Sequence, residues 1–123
     1  MSYRSLKSFP DYKINHKGKV INMKTNKTIY GSLNDNGYRR ITLYKNKRPR
    51  SFYLHRIVAF LFVPNPKPDQ YFEVHHLDNN RDNNKSSNLK WVNHQMNMKY
   101  VYTRHKADYR HKNEQQAINL QYI

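Results

Sequence analysis

Glu73-Val-His-His-Leu-Asp-Asn-Asn-Arg-Asp-Asn-Asn-Lys-Ser-Ser-Asn-Leu-Lys-Trp-Val-Asn-His-Gln-Met-Asn97 is the stretch on which the reading of this chain turns. It begins as a short strand that ends in adjacent histidines, His75 and His76. A loop of Asp and Asn follows, and such side chains bond back to nearby backbone and favour turns. A second strand runs from Asn88 to Val92. Asn93 then has the chemistry of a helix N-cap ahead of His94, Gln95, Met96, Asn97 and Met98. Strand, loop, strand and helix, in that order, bring the end of the first strand beside the helix, so His75, His76 and Asn97 are expected to converge.

Those residue types suit phosphodiester hydrolysis. Splitting such a bond needs a base to deprotonate water, and charge stabilisation on the phosphate and the departing 3′ oxygen. A neutral imidazole, with an ordinary pKa of about 6.5, can accept that proton at neutral pH. A divalent ion held by another imidazole and an amide oxygen keeps its full positive charge for the substrate, because neither ligand is an anion.

Upstream of this stretch the hydrophobic period is helical. From His55 to Phe62 the apolar residues Ile57, Val58, Phe60, Leu61 and Phe62 predict a helix that anchors the core. Pro64-Asn65-Pro66-Lys67-Pro68 stops it, since proline neither continues a helix nor favours one in the residue before it. Before the helix, short strands are expected at Tyr12–Asn15, Lys19–Asn22, Lys27–Tyr30, Tyr38–Tyr44 and Ser51–Leu54. They are separated by the turns His16-Lys17-Gly18, Asn34-Asp35-Asn36-Gly37 and Lys45 to Pro49, the pattern of an antiparallel meander. Beyond Tyr102 the chain is polar, with a short helix expected near Asn113–Leu120.

The whole chain has 123 residues, 23 Lys and Arg against 8 Asp and Glu, a net charge of +15 and no cysteine. Leu, Ile, Val and Phe make only 26 residues, so the core must be thin and must draw on the eleven tyrosines. The absence of cysteine excludes a disulfide scaffold and any thiolate zinc site. No apolar run approaches the ~18 residues of a membrane span and no signal-peptide pattern opens the chain, so the sequence is read as intracellular, in the cytoplasm of a host cell. A charge this large, spread along the chain and interleaved with Tyr, Asn and Ser, points to a polyanionic partner, nucleic acid first. A solvated basic surface serving solubility alone is the competing reading.

The ordered combination Val74-His-His-Leu-Asp-Asn-Asn-Arg-Asp-Asn-Asn, Asn88-Leu-Lys-Trp-Val and Asn97 resembles the HNH endonuclease motif, the ββα-metal finger, and most of all the free-standing HNH homing endonucleases of phages and their introns. Upstream, Tyr12-Lys-Ile-Asn with Gly18-Lys-Val, and Gly37-Tyr-Arg-Arg-Ile with Leu54-His-Arg-Ile-Val-Ala, resemble the NUMOD-type segment that commonly precedes that motif. The resemblance implies roles position by position. His76 matches the general base that activates water, and His75 and Asn97 match the metal ligands. Asn88 matches the central Asn, which holds the loop and in many members helps to orient the base; a buried Asn that merely satisfies loop amides would look the same.

The fold expected is therefore α+β. A strand-rich segment over 1–68, including a helix over 55–63, would contact DNA. The nuclease finger would occupy 69–101, with no structural zinc and with Leu77, Leu89, Trp91 and Val92 as its core. A polar tail, helical in part, would fill 102–123, all within one compact domain. The function implied is metal-dependent hydrolysis of double-stranded DNA by a monomer or DNA-dependent dimer. One ion, Mg²⁺ by abundance with Mn²⁺ or another transition metal as alternatives, would serve it. Phosphate contacts are expected from Lys17, Lys19, Arg39, Arg40, Lys45, Lys47, Arg48, Arg50 and Arg81. His55 reads as a packing or capping residue, His94 as solvent-exposed, and His16, His105 and His111 belong to no constellation. Two alternatives stay open: a non-catalytic nucleic-acid-binding protein on the same scaffold, and a low-specificity toxin or defence nuclease.

Overall fold

The computed structural model describes residues 2–101. The expected helix near Asn113–Leu120 lies outside them. Within the described residues, nine strands and two α-helices follow one another: β1 (Tyr3–Leu6), β2 (Phe9–Asn15), β3 (Val20–Asn22), β4 (Lys27–Ile29), β5 (Ser32–Leu33), β6 (Arg39–Lys45), β7 (Arg48–Tyr53), α1 (Leu54–Phe62), β8 (Glu73–His76), β9 (Leu89–Val92) and α2 (His94–Val101). They form three antiparallel sheets in chain order, β1-β2-β3-β4, β5-β6-β7 and β8-β9. This is the expected α+β arrangement. Two strands, β1 and β5, have no counterpart among those the sequence predicts. Both are short and poorly covered: the middle of β1 and both residues of β5 are exposed.

Strand alternation builds the core. On β2 Tyr12 and Ile14 turn inward, with Phe9 buried at the strand's start out of that phase, and on β6 Ile41 and Leu43 turn inward too. α1 lies among the sheets. Its first six residues, Leu54 to Ala59, are all buried, as expected of a helix enclosed on several sides rather than laid on a surface. One buried cluster runs from Leu6 through Ile57 and Val58 to Val74, Leu89 and Trp91, so the front sheets and the C-terminal unit share a core through α1. Trp91 Nε1 donates to the Val63 carbonyl at 3.0 Å, tying the start of the proline connector to β9, and Arg56 donates to the Phe72 carbonyl, tying its end to α1. Leu77 is a correction: it is 50% exposed rather than core, because β8 ends at His76 and the chain turns outward into the loop.

The far end of the β6–β7 hairpin is different. Tyr44, Lys45 and the residues from Arg48 to Ser51 are exposed, and its two-residue turn, Asn46-Lys47, has positive φ at both positions, 52° and 64°. That is the mirror-image turn whose twist matches paired strands. Four of the cations expected to meet DNA, Lys45, Lys47, Arg48 and Arg50, are concentrated there. Among the described residues, no helix is long and apolar enough to cross a membrane.

Candidate active site

β8 and β9 pair antiparallel, with His75 opposite Lys90 and His76 opposite Leu89. Asn93 caps α2 as its residue type predicts: its Oδ1 accepts from Met96 N–H at 2.7 Å, and its carbonyl accepts from Asn97 N–H at 3.0 Å. Alternation along β8 then sorts the side chains. Glu73 and His75 share one face, and Val74 and His76 share the other. The Glu73 face is covered by α2, because both carboxylate oxygens lie within 3.2 Å of His94 Nδ1. Asn97 is three residues beyond His94 and so projects from the same side of α2. His75 and Asn97 are therefore on facing surfaces, and both are buried, at 5% and 1% exposure. His94, expected in solvent, is instead half-buried and is the residue that docks α2 on β8.

Of the three residues expected to converge, the alternation of β8 thus sets His75 and Asn97 on one face and His76 on the other. His76 faces into a pocket of rings. Its imidazole centroid is 4.8 Å from that of His55 and 6.1 Å from that of Tyr38, and His55 stacks on Tyr38 at 5.2 Å. His55 is thus a packing residue, wholly buried behind the base candidate. His76 Nε2 lies 2.9 Å from Asn84 Oδ1. Burial pushes the His76 pKa down to about 4, the neighbouring His75 adds to that, and the Asn84 hydrogen bond works against it. The ring is therefore neutral and able to accept a proton throughout the physiological range.

The loop between the strands is organised by Asp78. Its carboxylate accepts from Asn83 Nδ2, Asn80 N–H and Asn88 Nδ2 at 2.8, 2.8 and 2.9 Å, and these bonds hold its pKa down at about 2. Asn88 also donates to the Asn83 carbonyl at 2.9 Å and accepts from Asp78 N–H at 3.1 Å. Those contacts make Asn88 the loop's clasp. The side chain that reaches His76 is Asn84, which sequence reasoning leaves among the turn-forming residues. One asparagine among several in a polar loop carries no local mark of which will face the strand end. Asn88→Ala should remove three buried or half-buried hydrogen bonds at about 1 kcal/mol each and lower Tm by roughly 5–15 °C in a thermal melt. Activity lost by that variant should return on cooling below its melting range.

The cations sort into groups. Lys17, Lys19 and Arg39 line a cleft of about 480 Å³ that opens beside Asn84 and is bounded also by Tyr30, Leu54 and Asp82. Arg39 is paired there with Asp82. Arg40 lies over the Tyr53 ring at 4.8 Å, and Arg81 lies over Tyr38 at 4.4 Å while donating to the Asn36 carbonyl at 2.9 Å. The hairpin group of Lys45, Lys47, Arg48 and Arg50 is exposed throughout. Among the described residues no group of three or more His, Cys, Asp or Glu is arranged to hold a metal ion. His75 and Asn97 fit an ion bound openly, with most coordination positions left to water and substrate oxygens. Asn97 Nδ2 is buried with no hydrogen-bond partner among the described residues, at a cost of about 1–3 kcal/mol.

The same elements are shared with known proteins. Residues 52–99 match the family profile described as HNH endonuclease. The chain is 32% identical over 105 residues to the DNA endonuclease I-HmuI of Bacillus phage SP01, covering 85% of this chain and 59% of that one. It is 38% identical over 116 residues to the uncharacterized HNH endonuclease L245 of Acanthamoeba polyphaga mimivirus, covering 94% of this chain and 34% of the relative. Its structure is similar to that of the HNH homing endonuclease I-HmuI, described as binding and cleaving DNA, with a TM-score of 0.74 at 32% identity over 85% of this chain and 59% of that one. The chain thus spans between about a third and three-fifths of these relatives' lengths.

Proposed function

We propose that this chain, whose residues 52–99 match the HNH endonuclease profile, is an HNH endonuclease that hydrolyses phosphodiester bonds of double-stranded DNA, with His76 as the general base and with His75 and Asn97 holding one divalent ion. The observation that carries this reading is the buried His76, kept neutral by its surroundings and held by Asn84, at the end of the strand whose other histidine faces Asn97. His76 takes a proton from water, and the hydroxide attacks the phosphorus in line with the 3′ oxygen. When bound, the ion supplies charge stabilisation at the phosphate and at that leaving oxygen. His75 and Asn97 hold it with neutral groups, so its charge is not cancelled by the protein. The leaving 3′ oxygen takes a proton from water, and the products carry 5′-phosphate and 3′-hydroxyl ends. One site per chain makes a nick the unit event. Lys17 and Lys19 at the cleft and the basic hairpin end at Lys47 supply charge to hold the duplex backbone, while Arg39 is engaged by Asp82.

Nicking of supercoiled plasmid in Mg²⁺ by wild type and by His76→Ala tests the reading. A variant as active as wild type rejects it. The ligand assignment has its own test. His75→Ala and Asn97→Ala should each require at least about tenfold more metal for half-maximal nicking, with excess metal restoring part of the rate. Metal titrations that overlay the wild type would exclude these residues as ligands.

A further inference from the structure

Which nitrogen of His76 can take a proton depends on where the ring already carries one. Asn84 answers this through both ends of its carboxamide. Its Nδ2 donates to the backbone carbonyl of Asp82 at 3.4 Å, and its Oδ1 lies 2.9 Å from His76 Nε2. Turning the amide over would set Oδ1 against a carbonyl oxygen, two acceptors facing each other, so Asp82 selects the amide's orientation. An acceptor at Nε2 requires the proton there, which leaves the lone pair on Nδ1.

Asp82 is in turn held from outside the finger. Arg39 of β6 forks its carboxylate, with Nε to Oδ1 and Nη2 to Oδ2 both at 2.9 Å. A two-point guanidinium–carboxylate contact sets direction as well as distance, which a lysine could not do. The adjacent Arg81 docks the same segment a second time, on the Asn36 carbonyl and the Tyr38 ring. The loop that carries Asn84 is thus registered against the front sheet by side chains far apart in sequence.

We propose that Asn84 is a positioning residue that keeps the proton of His76 on Nε2, so that Nδ1 receives the proton of the attacking water, and that the Arg39–Asp82 pair holds Asn84 in place for this task. The inference rests on the reading of His76 as base. It gives Arg39 a role in turnover in addition to any attraction it exerts on DNA.

The tautomer can be read without any cleavage. In the full chain with ¹⁵N-labelled histidine at pH 7, the ¹⁵N shifts of neutral His76, identified by their loss in His76→Ala, report which nitrogen is protonated. Wild type should be Nε2–H. Asn84→Leu, which removes the acceptor at similar volume, should show a tautomer mixture, and Asn84→Asp, which retains an acceptor, should remain Nε2–H. An Nδ1–H wild type, or an unchanged tautomer in Asn84→Leu, overturns the proposal. This result is independent of cleavage, so it fails separately from the assignment of His76 as base.

Single-turnover nicking of plasmid DNA in Mg²⁺ tests the second half. At saturating DNA, Asn84→Leu should slow nicking by about 10- to 100-fold, part of the usual general-base contribution. Arg39→Ala should slow it by roughly 3- to 10-fold, and Arg39→Ala/Asp82→Ala should be no slower, since the two act as one unit. Effects of Arg39→Ala confined to the half-saturating DNA concentration would overturn the clamp. If Asn84→Leu does not fold by circular dichroism, the tautomer in Arg39→Ala and Asp82→Ala decides: a mixture supports the proposal and pure Nε2–H rejects it.

Discussion

His76→Ala should lower the rate of plasmid nicking by a factor of about 10² to 10⁴, the usual range for loss of a general base, while duplex binding measured in Ca²⁺ or without metal stays near wild type. The effect is large because no second group among the described residues stands ready to replace it. His75 points to the α2 face, and His55, although its ring is 4.8 Å away, is wholly buried. The pH dependence follows from the same burial. With a pKa of about 4, His76 remains an unprotonated base well below neutrality. The acidic limb set by this group should therefore fall near pH 4 rather than near 6.5, measured at saturating metal. Folding should respond in the same window. The folded state holds fewer protons at His76 than the unfolded chain does, so this group's contribution to stability is complete above about pH 6.5 and is lost as the pH falls toward 4. An acidic limb centred near 6.5 would mean that a different, exposed group is being titrated.

Affinity for DNA should be steeply salt-dependent. Each phosphate neutralised by Lys or Arg releases condensed counterion, so log K should fall by roughly 0.9 per contact for each tenfold rise in salt. With about six contacts, affinity should drop by about 10³ between 50 and 200 mM salt. The exposed hairpin end is the place to test this, because Arg39 and Arg81 are already bound within the protein. Changing Lys45, Lys47, Arg48 and Arg50 together to Gln should make the slope shallower by about 3 to 4 and leave the rate at saturating DNA close to wild type. The opposite division is expected of Arg39, whose loss should appear mainly in the rate. A wild-type affinity indifferent to salt would show that the +15 charge serves something other than phosphate contact.

Much of the finger is legible in the sequence because its determinants are local. Adjacent histidines at a strand end, an Asp- and Asn-rich loop, a short apolar strand and an Asn cap each act over a few residues, and their order alone sets His75 and Asn97 on neighbouring elements. Asn93 capping Met96 and the helix from Leu54 to Phe62 are of this kind. β1 and β5 escape such a reading because half-exposed strands of four and two residues carry too little alternation to register. Leu77 misleads it because its apolar character says bury, while the end of β8 turns it outward.

The sequence by itself determined the residue chemistry of the site and the basic character of the surface: two histidines and an asparagine in a fixed order, no cysteine, and cations throughout. Only the tertiary structure decided who faces whom. Asn84 rather than Asn88 reaches His76, His94 docks on Glu73 rather than facing solvent, and Arg39 engages Asp82 across 43 residues of chain. Local propensity reads short spacings and turn chemistry. Contacts of this length arise from how α1 seats one sheet against another in a shared core, and a single-sequence pattern carries no record of that packing.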